Sequence, residues 1–105
     1  MFRIASGPSK LLADTSGFVD ALNRPRQGVP VDFLNPDRRF VVTRAPGRLD
    51  LMGGIADYSG SLVLELPIAA ATHAALQRNV DEVVRVVSLG VAHERPLVFE
   101  TTLAE

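Results

Sequence analysis

The feature that most constrains the fold of this chain is a series of short β-prone runs that begins near residue 39. The runs "RFVVTRAP" at 39–46 and "EVVRVVSL" at 82–89 are rich in β-branched residues, which fit a pleated, half-buried surface. The run "RLDLMGG" at 48–54 alternates apolar and polar side chains, which is the period of a strand with one buried face. These runs predict a domain that is rich in sheet.

Three further runs extend this pattern. "SLVLELP" at 61–67 is apolar and closes on a proline, which is tolerated at a strand end. "AATHAALQR" at 70–78 has a composition that suits a helix, but its alternation favours a strand. "RPLVFETTL" at 95–103 follows a glycine-containing turn and is predicted to pair with 82–89 as a hairpin. We therefore expect an α+β fold with five or six mostly antiparallel strands.

The N-terminal part has a different composition. The run "PSKLLADTSGFVDALNR" at 8–24 has apolar residues at helical spacing, namely Phe18, Ala21 and Leu22. Asp14 or Thr15 is the expected N-cap of this short helix. A proline-rich connector follows at 25–39.

The expected organisation is therefore a helix with its connector over residues 1–37 and a β-rich part over residues 38–105. A sheet with one apolar face needs a covering layer, and no long amphipathic helix is present in the β-rich part. We expect the covering helices to belong to sequence outside this chain. The uncovered face would then favour self-association.

Composition excludes several classes of function. The chain has 105 residues, 47% of them hydrophobic and 22% charged, and a net charge of −1. This balance argues against a nucleic-acid or membrane partner. Because there is no cysteine, disulfides and thiolate metal sites are excluded. His73 and His93 lack clustered carboxylates, so we expect no metal site. No secretory leader is recognised, so we expect a cytoplasmic protein.

The stretch "APGRLDLMGGIADYSG" at 45–60 contains the candidate functional residues. Taken alone, Pro46-Gly47 and the run 57–60 are typical of turns. Two turns of this kind would bring Arg48 and Asp57 to one rim. A guanidinium suits phosphate oxygens or an ionising hydroxyl, and a carboxylate accepts hydrogen bonds from two hydroxyls of a sugar.

This stretch resembles the first signature of the GHMP small-molecule kinases, and most closely that of the galactokinase branch. The positions that carry the resemblance occur in the family's order and spacing: Ala45-Pro46-Gly47-Arg48, Gly53, Asp57-Tyr58, Gly60, Val63-Leu64 and Ile68. The resemblance implies the N-terminal part of a GHMP kinase domain, whose fold is like domain 2 of ribosomal protein S5.

The resemblance also implies a mechanism. In this family ATP phosphorylates the anomeric hydroxyl of a monosaccharide. The arginine that matches Arg48 lies beside that hydroxyl, and the aspartate that matches Asp57 binds the sugar hydroxyls. Gly54, Ile55 and Tyr58 fall at substrate-binding positions of the same motif. Such a reaction depends on positioning and electrostatic stabilisation.

Two departures from the galactokinase pattern bear on the substrate. Gly54-Ile55 stands where galactokinases carry Glu-His, which hold the far end of the sugar, and Asp50 stands where an Asn is usual. The hydroxymethyl group of galactose would be left unpaired, at a cost of about 1–3 kcal/mol. We therefore expect a pentose substrate such as arabinose, since arabinokinases carry a similar Met-Gly-Gly-Ile-Ala-Asp-Tyr-Ser-Gly run.

The nucleotide site is missing from the sequence. No Gly/Ser-rich phosphate loop is present, and Lys10 lacks the glycine of a Walker loop. We expect ATP and Mg²⁺ to act in the full-length enzyme, with neither bound tightly by this part, which ends before the ATP loop. Three alternatives stay open: a non-catalytic sugar sensor, a homoserine- or mevalonate-type kinase, and a purely structural domain.

Overall fold

A computed structural model of the chain describes residues 1–7, 12–90 and 95–103. The elements follow in the order α1 (Ala13–Leu22), β1 (Val41–Met52), a 3-10 helix (Gly54–Ser59), β2 (Leu64–Leu76), β3 (Val83–Ser88) and β4 (Leu97–Thr102). The α+β class is confirmed, with antiparallel strands in two small sheets. The expected number of strands is wrong: within the described ranges, β1 pairs with β2 and β3 pairs with β4.

Fewer strands form than expected because neither Pro46 nor Pro67 ends a strand. The expected stop at Pro46-Gly47 is wrong, since β1 continues through both residues to Met52. The expected end at Pro67 is also wrong, since β2 runs on to Leu76. Each strand of a two-stranded sheet has one unpaired edge, where a proline sacrifices no ladder hydrogen bond. The run at 70–78 is confirmed as strand up to Leu76.

Gly47 serves a purpose other than the expected turn. Its φ angle is not positive, and a Cβ placed on it would lie 3.1 Å from both Cγ1 and Cδ1 of Ile68. It would also lie 3.4 Å from the carbonyl oxygen of Ala70. The glycine therefore allows the close approach of β1 and β2.

The described chain forms two compact units, of which one is Val42–Ala75 and the other comprises Met1–Val41 with Leu76–Glu105. In the second unit, the helix is confirmed but its expected N-cap is wrong. Leu12 occupies the cap without a side-chain hydrogen bond, so Asp14 and Thr15 lie in the first turn. An acidic residue in the first turn still favours the helix through its dipole.

The helix fixes the N-terminus of the chain. The Asn23 side chain accepts a hydrogen bond from the backbone N–H of Phe2 at 2.6 Å and donates one to its carbonyl oxygen at 2.9 Å. The Phe2 ring meets the Phe40 ring edge to face, with 5.0 Å between centroids. Val19 of α1 is the one buried apolar residue in the described part of the chain.

The β3–β4 hairpin is confirmed, with Arg85 opposite Glu100 in the register. Arg85 Nε lies 3.0 Å from Glu100 Oε2, and Arg85 Nη1 lies 2.8 Å from Asp81 Oδ2. The hydrogen bond to Asp81 is the main cause that raises the pKa of the Arg85 guanidinium above its ordinary value, and Glu100 adds to it. Both carboxylates are therefore committed to Arg85.

The β1–β2 sheet leaves apolar side chains exposed, and the expectation that helices outside this chain cover them stays a prediction. These residues are Leu49, Leu51, Leu64 and Leu66. Self-association through this face stays a prediction. No helix in the described ranges is long and apolar enough to cross a membrane.

Candidate functional site

Arg48 is the centre of a charged cluster within the unit Val42–Ala75. Its Nη2 lies 3.5 Å from Asp57 Oδ2, and its Nε lies 3.1 Å from Glu65 Oε1. Asp50 Oδ1 lies further away, at 3.9 Å from Nε. One guanidinium is thus surrounded by three carboxylates, which come from β1, the 3-10 helix and β2.

Strand periodicity and two glycines produce this arrangement. Arg48 and Asp50 lie on the same face of β1 because side chains alternate along a strand. Gly53 follows with φ 80° and Gly60 ends the 3-10 helix with φ 73°, and both angles fall in the left-handed region that favours glycine. The chain thereby reverses and returns Asp57 to Arg48. The expected turn at 57–60 is confirmed by a 3.0 Å hydrogen bond from the Gly60 N–H to the Asp57 carbonyl.

Glu65 is a residue that the sequence analysis did not single out. It lies in β2, and its side chain is 24% exposed, against 59% for Arg48 and 48% for Asp57. Partial burial raises the pKa of the Glu65 carboxyl. Arg48 lowers that pKa, whereas the hydrogen bond and charge of Asp50 raise it, so that the net direction is upward. An acidic residue within the apolar run 61–67 is the signal that could have revealed it.

Asp50 and Gly54, which both depart from the expected galactokinase pattern, lie next to each other. A Cβ placed on Gly54 would be 2.7 Å from Asp50 Oδ2. Any side chain at position 54 would therefore displace the Asp50 carboxylate from its place near Arg48. The residues at positions 50 and 54 are therefore sterically coupled.

The structure does not enclose all of the expected site residues. It brings Arg48 and Asp57 together, with Gly54 beside Asp50. Ile55 and Tyr58 lie on the 3-10 helix with 92% and 97% of their surfaces exposed. Their assignment to a substrate site stays a prediction.

Metal binding has no support in the described ranges, where no group of three or more His, Cys, Asp or Glu residues is arranged to hold an ion. The carboxylates around Arg48 already have a cation between them. His73 lies in β2, and His93 falls outside the described residues.

Comparison with known proteins shows what the part of the chain that contains this cluster is similar to. Residues 32–78 match the galactokinase galactose-binding signature, and this range includes the whole of β1, the 3-10 helix and β2. The predicted resemblance to galactokinase-like GHMP kinases is confirmed over this range.

The chain is also similar to a segment of a curated protein. The chain is 65% identical over 46 residues to an L-arabinokinase of Arabidopsis thaliana. The match covers 44% of this chain and 4% of that protein, so the chain spans a small part of its curated relative. No solved structure matches the chain.

Proposed function

We propose that this chain supplies the sugar-binding N-terminal segment of an ATP-dependent sugar 1-kinase. The observation that supports the proposal best is the 3.5 Å approach of Arg48 Nη2 to Asp57 Oδ2, within residues that match a galactose-binding signature. A guanidinium that donates hydrogen bonds and a carboxylate that accepts them, both about half exposed, are the groups that a polyhydroxylated ligand needs.

The proposed roles follow from charge and geometry. Asp57 accepts hydrogen bonds from sugar hydroxyls. Arg48 donates a hydrogen bond to the anomeric oxygen and stabilises the negative charge that develops on this oxygen as it loses its proton. The separation between Arg48 and Asp57, 3.5 Å, is longer than the roughly 2.7–2.9 Å of a strong charge-assisted hydrogen bond. Sugar hydroxyls can therefore replace this contact at little cost.

Glu65 is proposed to hold Arg48 in place while the sugar binds. Its contact with Nε, at 3.1 Å, is shorter than the Asp57 contact with Nη2. Arg48 therefore remains fixed through Nε when a sugar takes the Nη2 side. This division lets one arginine be both positioned and available.

A pentose such as arabinose is the proposed substrate. Position 54 has no side chain, and Ile55 offers no hydrogen-bonding group. A galactose hydroxymethyl group would lose a partner here, which corresponds to roughly tenfold or more in preference. The 65% identity to an L-arabinokinase segment supports the same direction.

ATP and Mg²⁺ are proposed for the full-length enzyme, but the residues described here do not fit them. The helix at Gly54–Ser59 is a single 3-10 segment without a phosphate loop before it. The carboxylates near Arg48 are not arranged as a metal site among the described residues. No step that involves the nucleotide is therefore assigned to this chain.

The test is ATP-dependent phosphorylation of arabinose and galactose, at equal concentration, by the full-length gene product. We expect turnover of arabinose and a preference of about tenfold over galactose. A preference for galactose would contradict the proposed pentose specificity. Calorimetric sugar binding without turnover would contradict the kinase and identify a sensor.

A further inference from the structure

A second polar site lies in the unit that comprises Met1–Val41 and Leu76–Glu105. It is an open pocket of about 730 Å³, and its lining residues are Arg38, Arg39, Arg78, Asn79, Val80 and Asp81. The first two belong to the connector before β1, and the others follow β2. We refer to it as the arginine pocket.

The charges in the arginine pocket are not balanced. It has three guanidinium groups and one carboxylate. That carboxylate, Asp81, is held by Arg85 at 2.8 Å. Within the described ranges, Arg38, Arg39 and Arg78 form no ion pair of their own. Like charges gathered in one concavity repel each other, and an anion would relieve that repulsion.

The backbone that supports these arginines is tied together by Gln77. The Gln77 Oε1 accepts a hydrogen bond from the Asn35 N–H at 2.7 Å. Its Nε2 donates to the carbonyl oxygens of Asn35 at 2.9 Å and Arg38 at 3.1 Å. Through its side chain, Gln77 therefore ties the connector segment that carries Arg38 and Arg39 to the backbone segment that carries Arg78. The backbone positions are set before any ligand arrives, which lowers the entropic cost of binding.

We propose that the arginine pocket binds the phosphate group of a phosphorylated small molecule. Guanidinium forks match phosphate oxygens through paired hydrogen bonds. The volume of about 730 Å³ falls within the range of small-molecule sites. The net charge of −1 provides no extended basic surface for a nucleic acid. None of the residues that line the arginine pocket belongs to the Arg48 cluster.

The test uses the 105-residue chain and three probes: inorganic phosphate, ribose 5-phosphate and ribose. Binding is followed through the NMR signals of the arginine Nε–Hε groups at constant ionic strength. We expect saturable shifts for Arg38, Arg39 and Arg78 with the two phosphate-bearing probes and none with ribose. Tighter binding of ribose 5-phosphate than of inorganic phosphate indicates a phosphorylated metabolite, whereas the reverse order overturns that part of the proposal. Absence of saturable shifts overturns the site itself.

Variants separate a specific site from general charge attraction. Arg38→Gln and Arg78→Gln should each weaken ribose 5-phosphate binding by about five- to tenfold. Arg26→Gln removes the same charge from the same unit but lies outside the pocket lining, and it should change affinity by less than about twofold. Arg78→Lys keeps the charge and loses the planar fork, so an intermediate loss is expected.

Two results would contradict the proposal. Equal weakening by Arg26→Gln and Arg78→Gln would show that attraction is general. Tighter binding of a short DNA oligonucleotide than of ribose 5-phosphate would assign the surface to nucleic acid instead. A variant that fails to fold is recognised by its backbone spectrum, and Arg78→Lys then decides the outcome.

Discussion

The arginines of the two candidate sites in this chain have opposite electrostatic settings. Arg48 in Val42–Ala75 is surrounded by carboxylates, whereas the three arginines of the arginine pocket have no ion-pair partner within the described ranges. A compensated guanidinium is oriented and suits a neutral polyol that brings no charge. An uncompensated cluster suits an anion. Both ligand proposals therefore rest on the carboxylate neighbours of each arginine rather than on the arginine itself.

The largest effect is expected when Arg48, the arginine surrounded by carboxylates, is replaced. Arg48→Ala in the full-length enzyme should lower kcat/KM for arabinose about 100- to 1000-fold, because the donor beside the attacking oxygen is lost. Steady-state kinetics checks this. Arg44→Ala is the matched control, since Arg44 lies on the same strand and donates to the Ala69 carbonyl. Equal losses in both variants would assign Arg48 a structural role.

The next prediction concerns the turn that brings Asp57 to Arg48. Gly53→Ala should lower the free energy of unfolding by about 1–2 kcal/mol, because alanine is strained at positive φ. Gly54→Ala should cost less than Gly53→Ala, since the φ angle at Gly54 is not positive and the atoms nearest the new Cβ are the Oδ2, Cγ and Cβ of one exposed side chain, Asp50. Chemical denaturation of both variants gives the order, and the reverse order would contradict the turn geometry.

A smaller effect is expected when Arg48 loses its nearest partner. Glu65→Gln should lower kcat about three- to tenfold and change KM little, because Arg48 is less well positioned while sugar contacts persist. Glu82→Gln is the control, since it removes an equal charge outside the cluster. A change confined to KM would show that Glu65 contacts substrate instead.

The smallest effect is the titration of Glu65 itself. Its pKa in the folded chain is raised above 4.5, so its contribution to stability is present below the unfolded pKa and is lost as pH rises through the folded value. The stability gained by Glu65→Gln should therefore grow as pH rises from the unfolded pKa of about 4.3 through the higher pKa of the folded chain. Carbon-13 NMR of the Glu65 carboxyl gives the midpoint. Asp50→Asn should lower this midpoint, and a wild-type midpoint at or below 4.5 would refute the assignment.

Local sequence rules predicted part of this fold. Periodicity identified the helix, the β3–β4 hairpin and the strand character of 70–76, since these depend on neighbours close in the chain. The rules failed at Pro46 and Pro67, because whether a proline ends a strand depends on which edge is paired. That pairing is a tertiary property.

The same holds for the two sites: residues close in the sequence were predicted, and residues brought together only by the fold were missed. Arg48 and Asp57 were predicted from one short motif, although only one of the two turns expected to join them, at 57–60, is present. Glu65 was missed because its approach to Arg48 depends on the pairing of β1 with β2. The arginine pocket was missed because Arg38 and Arg78 are far apart in the sequence and are joined through the hydrogen bonds of Gln77.

A double-mutant cycle on arabinose binding tests most directly whether Arg48 and Asp57 form one site. Calorimetry of the full-length protein would compare Arg48→Ala, Asp57→Ala and the combined variant with the wild type. Shared contact with one sugar predicts that the combined loss of binding free energy is smaller than the sum of the single losses, by about 1 kcal/mol or more. Single variants that bind arabinose as tightly as the wild type would contradict the account.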